Sequence, residues 1–305
     1  MAFSATDAAF EGFRLVRRNP LALVAWTLLY AVLTLTALFS MSNVVGQLEG
    51  WSAQADAMDA VETPGIEQVW ALVADFGAIM AQVAWLLPIS LLVGAMLAAA
   101  VSRGVLKPSG GRFGYLRLGM DELRVLVVTF VLGLVMSLVA LVALVALGVV
   151  VAAAKTAGGN GAAAIAGLIG FLAVICLFIW LAVRLCLAVP ITVAERRFAF
   201  FDSFSLTKGR FWPLLGMAII AVVMVLLVEL LSSIVSMPLS VMSGLQSWSF
   251  NGSQETESIR AALDVGNPWV IANAVVEAIV AAMTVGIMYA PFSAAYLNIK
   301  GGQPT

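Results

Sequence analysis

The chain has 305 residues, 62% of them hydrophobic and 11% charged, with a mean hydropathy of +1.05. A soluble domain carries roughly 25% charged residues, so too few remain here to cover a water-facing surface, and the composition points to a polytopic integral membrane protein. The net charge of −1 gives no global pull toward nucleic acid, and the absence of histidine removes the commonest proton-transfer residue and metal ligand.

A helix needs about 20 apolar residues to cross the hydrocarbon core. Six runs qualify: 21–42, 77–101, 125–151, 163–188, 212–234 and 269–296. Every backbone polar group in that core must be bonded within its own segment. The expected fold is therefore all-α, a six-helix transmembrane bundle forming one domain over 1–305.

Residues 1–20 read as a cytoplasmic interfacial helix. The run from Leu21 to Met41 outlasts the roughly 7–15-residue apolar core of a signal peptide, and no small-x-small cleavage site follows. It is expected to stay as a signal anchor.

The loop 43–76 holds Glu49, Asp56, Asp59, Glu62, Glu67 and Asp75 without a cation, as a solvated loop would. Thr63 and Pro64 suit a helix cap and first helical residue, and Ile66, Val69, Trp70 and Val73 recur at helical spacing. Span 2 is thus expected to start early, as an amphipathic helix. Pro88 is its clearest break signal.

Residues 154–162 read as a tight turn, and Asn251-Gly252 as a turn within 235–268. Asn251-Gly252-Ser253 also matches a glycosylation sequon, which matters only in a eukaryotic secretory pathway. Cys176 and Cys186 would lie roughly 15 Å apart on one helix, too far for a disulfide; both read as small buried hydrophobes.

Charge sets the expected orientation. Arg14, Arg17 and Arg18 precede span 1. Arg103, Lys107, Arg112, Arg117 and Arg124 separate spans 2 and 3. Arg184, Arg196, Arg197, Lys208 and Arg210 lie between the end of span 4 and span 5, and Lys300 follows span 6. Only Lys155 and Arg260 lie on the other side. The positive-inside rule puts both termini in the cytoplasm, consistent with a bacterial inner membrane.

Phe10-Glu11-Gly12-Phe13-Arg14-Leu15-Val16-Arg17 aligns without gaps on Phe201-Asp202-Ser203-Phe204-Ser205-Leu206-Thr207-Lys208, and Tyr115-Leu116-Arg117-Leu118 matches more loosely. Each segment leads into an odd-numbered span. The pattern suggests three repeats of an interfacial helix followed by a transmembrane hairpin.

Residues 187–216 are the most distinctive. Pro190 and Glu195 are followed by Ser203-Phe-Ser-Leu206-Thr207-Lys-Gly209-Arg-Phe211-Trp212. This stretch resembles bacterial six-helix membrane proteins like the membrane domain associated with glycerophosphodiester phosphodiesterases. In that family, catalysis belongs to a separate soluble barrel, so the resemblance implies a membrane domain without catalysis. Pro190 is expected to end span 4, and Glu195 to lock the following turn against Arg196 and Arg197.

Two sets of candidate site residues stand out. Glu229 and Glu277 are acids within spans 5 and 6, and Asn273 lies one turn from Glu277 on the same face. Ionisable groups in a span mark functional sites by default. Arg17, Arg18, Arg196, Arg197, Lys208 and Arg210 are the expected contacts for anionic lipid headgroups. No catalytic residue, metal ligand or cofactor-binding residue is recognised, and no cofactor is expected.

The expected function is a non-enzymatic membrane scaffold or accessory subunit. Its partners would be membrane lipids and possibly another membrane protein, with no nucleic acid. Small residues at four-residue spacing suit close helix packing: Gly94 and Ala98, Gly133 and Ser137, Ala163 and Gly167, and Ala282, Gly286 and Ala290. The alternative is transport of a small solute, ion or lipid along Glu229 and Glu277.

Overall fold

A computed structural model describes residues 5–59, 65–107, 112–117, 119–243 and 263–301. Among them every regular element is helical: α1 (Ala5–Ala9), α2 (Glu11–Arg18), α3 (Pro20–Asp59), α4 (Ile66–Ala81), α5 (Leu86–Leu106), α6 (Met120–Leu185), α7 (Ala188–Glu195), α8 (Asp202–Leu206), α9 (Phe211–Met242) and α10 (Pro268–Gly301), with one 3₁₀ turn at Arg112–Tyr115. Five stretches are long and apolar enough to cross a membrane: Pro20–Met58, Leu86–Leu106, Met120–Glu195, Phe211–Met242 and Pro268–Gly301. The expected Asn251-Gly252 turn, its sequon, Arg260, and the Thr63-Pro64 cap lie outside the described residues.

The run 125–151 and all but the last three residues of 163–188 fall within the single element α6. At about 1.5 Å per residue, its 66 residues would form a straight rod of roughly 100 Å, far longer than the hydrocarbon core. The element is folded instead. Gly159 has φ 70 and ψ −163, outside helical space, a conformation only glycine adopts without strain. On either side of it the arms pack against each other: Leu147 lies on Gly170, and a Cβ at Gly167 would sit 3.6 Å from Val151 Cγ2. The paired positions close in toward Gly159, as in an antiparallel hairpin. The expected turn over 154–162 is therefore helical up to this one break.

Prolines set two further breaks. Pro88 and Pro190 each occupy the third position of a resumed helix, α5 and α7. A proline cannot donate to the carbonyl four residues back, and its ring crowds that carbonyl. The affected carbonyls belong to Ala84 and Cys186, and the helix is interrupted at both places. The expected span 77–101 is thus divided: α4 ends at Ala81, tight turns follow (Gln82 N–H to Ile79 O, 3.2 Å; Leu87 N–H to Ala84 O, 3.1 Å), and α5 begins at Leu86. Pro190 kinks the chain rather than ending it, because α7 continues to Glu195.

The chain forms two compact units. The first gathers residues 1–18, 95–223 and 286–305. Its core includes Leu187, Ile191, Leu214, Met217, Ala295 and Tyr296. Here α2 is wedged in by its smallest residue: a Cβ at Gly12 would fall 2.6 Å from Ile287 Cα and 2.8 Å from Gly286 O. Leu15, one turn on, is buried, and a Cβ at Gly104 of α5 would lie 3.0 Å from its Cδ1.

The segment aligned with α2 behaves in parallel. α8 starts at Asp202 just as α2 starts at Glu11, and Ser203, the counterpart of Gly12, is fully buried. Its hydroxyl donates to Arg184 O (2.6 Å) and accepts from Leu187 N–H (3.2 Å), bridging the kink between α6 and α7. Thr207 Oγ1 donates to Ser203 O (2.8 Å), and Gly209 turns the chain toward α9 with φ 77. The residues that carried the family resemblance therefore act as a structural bracket. The loosely matching segment 115–118 differs: Tyr115 ends the 3₁₀ turn at Arg112–Tyr115, and residues 116 and 117 are in no helix.

The second unit comprises residues 19–94 and 224–285. In it α3 continues well past residue 42 and pairs with α4. Trp51 Nε1 donates to Leu72 O (2.8 Å), the Trp51 and Phe76 rings lie 4.9 Å apart, and the amides of Gln47 and Gln82 bond reciprocally (3.1 and 2.7 Å). α4 begins at Ile66, capped at Gly65, whose N–H donates to the Gln68 side chain (3.3 Å). Its stripe of Ile66, Val69, Trp70 and Val73 is exposed, so the face packed on α3 is a different one. Cys176 is exposed too, against the expectation of burial; both cysteines are free. It sits on the stretch of α6 from 129 to 180, where no residue is buried, so a small apolar side chain there has no core to enter.

Candidate functional site

In the first unit the end of α5, residues 107, 115, 117 and 119, the first turn of α6 and the end of α7 line a cavity of about 510 Å³. Arg103, Lys107, Arg117, Arg124 and Arg196 line it together with Asp121 and Glu122.

The cavity is organised around one buried ion pair. Arg103 Nη2 pairs with Glu122 Oε1, the two side chains being 14% and 4% exposed. Arg103 Nη1 also donates to Tyr115 O (2.7 Å), while its Nε–H is buried with no acceptor among the described residues. Arg103 therefore ties α5 to the 3₁₀ turn and to α6. Asp121 accepts from Arg124 (2.7 Å) and lies 4.0 Å from Arg196.

Among the described residues, Tyr115 (φ 61) and Arg196 (φ 52) are the two non-glycine residues in left-handed backbone conformations, and both line this cavity. That conformation costs roughly 1–2 kcal/mol for an L-residue and concentrates at functional positions. At Arg196 it ends α7 and separates two neighbouring guanidiniums: Arg196 lines the cavity, whereas Arg197 turns to Glu195 (2.7 Å) and Asp202 (2.7 Å).

Glu195 locks the turn as expected, with Arg197 and two further partners: Lys300 Nζ (3.0 Å) and the Tyr296 hydroxyl (3.1 Å), both from α10. Arg196 does not take part in this lock.

The six expected headgroup cations all belong to the first unit, but they form no single cluster. Arg18 lies 3.8 Å from Glu11, Arg197 is held by two carboxylates, and Arg17 and Lys208 are exposed, with Arg210 half-buried. Of the six, only Arg196 lines the cavity. Arg103, Lys107, Arg117 and Arg124 are the cavity cations outside that expected set, and their concentration between spans 2 and 3 is the available signal.

In the second unit the intramembrane candidates take separate partners. Asn273 Nδ2 donates to Glu277 Oε1 (2.8 Å), as expected for one turn of helix. Thr284 Oγ1 donates to Glu229 Oε1 (3.4 Å). Glu277 and Thr284 are seven residues apart, roughly 10 Å along α10, and share a face. The two carboxyls are thus two turns apart on one seam and do not meet.

Comparison with known proteins gave no matching family model, no matching curated protein and no matching solved structure.

Proposed function

We propose that this chain is a non-enzymatic integral membrane scaffold or accessory subunit, with six spans and both termini in the cytoplasm of a bacterial inner membrane. Counting the two arms of α6 as separate spans gives six, and the distribution of cations supports the orientation. Membrane lipids and a membrane protein are the partners in this reading. The likeness of residues 187–216 to the membrane domain associated with glycerophosphodiester phosphodiesterases supports it as a kinship without catalysis.

One observation carries the reading: no residue from 129 to 180 is buried. Both arms of the α6 hairpin are apolar, yet no other described element of the first unit buries them. Leu134, Leu138, Leu141 and Val145 follow one face and are each about 60% exposed. Beside them are Gly133 and Ser137, and a Cβ at Gly133 would meet nothing within 4 Å. Small residues let another helix approach closely in lipid. Transport is less well supported, because Glu229 and Glu277 take separate partners and neither lines the basic cavity.

A photo-crosslinker placed in turn at Leu134, Leu138, Leu141 and, on the other arm, the equally exposed Leu168 in native membranes tests the proposal. Protein adducts are expected at the Leu134–Leu138–Leu141 face and not at Leu168. Adducts to lipid alone at every position would contradict it.

A further inference from the structure

We propose that the cavity between α5, α6 and α7 is a binding site for a phosphate-bearing anion, independent of whether the hairpin docks a partner. Its lining sets five cations against two carboxylates, an excess of three positive charges. Like charges in a loop ordinarily spread apart into solvent. Here cations from separate elements line one cavity, Arg103 and Arg124 in its wall and Lys107, Arg117 and Arg196 at its exposed rim, and left-handed backbone holds two of its positions at a cost.

Two features show that the convergence is built. The Arg103–Glu122 pair and the bond from Arg103 to Tyr115 O fix the wall. The backbones of Tyr115 and Arg196 are both left-handed, which places Arg196 over the cavity instead of with Arg197 in the Glu195 lock. The Nε–H of Arg103 has no acceptor among the described residues, so the wall retains donor capacity. Glu122 is consumed by Arg103. Asp121 alone opposes an incoming anion, and it is shared between Arg124 and Arg196.

The volume falls within the roughly 300–1,000 Å³ of small-molecule sites. It exceeds what one phosphate needs and suits a phosphate carried on a small polar group. Arg117, Arg124 and Arg196 supply planar guanidinium donors that match phosphate oxygens in pairs. A lipid headgroup and a soluble phosphate ester share this chemistry.

The test uses the full chain. Purified protein in neutral detergent is titrated with inorganic phosphate by calorimetry. In parallel, protein in phosphatidylcholine nanodiscs with or without phosphatidylglycerol is released and its retained lipid counted by native mass spectrometry. Saturable binding in the phosphate arm assigns a soluble anion; retention of one phosphatidylglycerol without phosphate binding assigns a headgroup. Either supports the site provided Arg117→Gln weakens it at least about tenfold while Lys155→Gln, a charge removed elsewhere, leaves it unchanged. Asp121→Asn removes the opposing carboxylate and is expected to tighten binding severalfold, which keeps the test decisive if Arg117→Gln fails to fold. Equal weakening by Arg117→Gln and Lys155→Gln, no tightening by Asp121→Asn, or no binding in either arm would overturn the proposal.

Discussion

Replacing Glu122 with alanine is expected to destabilise the first unit by about 3–5 kcal/mol, the usual consequence of leaving one member of a buried ion pair uncompensated. Glu122 is 4% exposed and Arg103 14%, so water can replace little of the lost contact. The guanidinium would keep its bond to Tyr115 O and the more distant charge of Asp121 across the cavity, but no carboxylate would remain paired with it. The cost comes from the stranded charge rather than from the strength of the pair. Arg103→Met with Glu122→Leu should therefore recover most of the loss. Thermal unfolding of the detergent-solubilised protein measures both variants. A double variant as unstable as Glu122→Ala alone would show that the pair itself, and not the unpaired charge, supplies the stability.

Gly12→Val should have the second largest effect. The new Cβ would fall 2.6 Å from Ile287 Cα and 2.8 Å from Gly286 O. Both are backbone atoms, so no side-chain rotation makes room. Overpacking of this kind costs about 1–3 kcal/mol, and displacing α2 would also uncover Leu15, worth roughly 1.5–3 kcal/mol when fully buried. Gly104→Ala is the matched control. Its Cβ would lie 3.0 Å from Leu15 Cδ1, the end of a side chain that can shift. Trypsin should cut after Arg14 and Arg17 much faster in Gly12→Val than in the parent or in Gly104→Ala. Equal rates in all three would mean that α2 is not held by this contact.

Apolar run length located every long helix, because that signal is one of composition and tolerates small errors of boundary. It could not show where those helices break. Pro88 and Pro190 act on carbonyls four residues earlier, so each break precedes its proline, and the helix resumes through it. The long extension of α3 to Asp59 was hidden by its polar composition, since it is held by pairing with α4 through Trp51 and Gln47.

The cavity was less legible still. Its cations were visible, but their convergence depends on left-handed backbone at Tyr115 and Arg196, where nothing resembling a glycine signal stands in the sequence. Glu122 stands in the first turn of α6, the ordinary place for an acid, and only packing reveals it as buried. The Asn273–Glu277 contact was predictable because it rests on helix periodicity alone. The partner of Glu229 is 55 residues away in sequence, and no local pattern could name it.

The central claim is that α6 is a transmembrane hairpin turning at Gly159 within a six-span chain whose cations face the cytoplasm. The most direct measurement is a pair of compartment-sensitive reporters, one inserted at Gly159 and one fused after Thr305, each in the full chain. The account predicts that the Gly159 reporter is external and the Thr305 reporter cytoplasmic. Both reporters on the same side, or the reverse assignment, would contradict it.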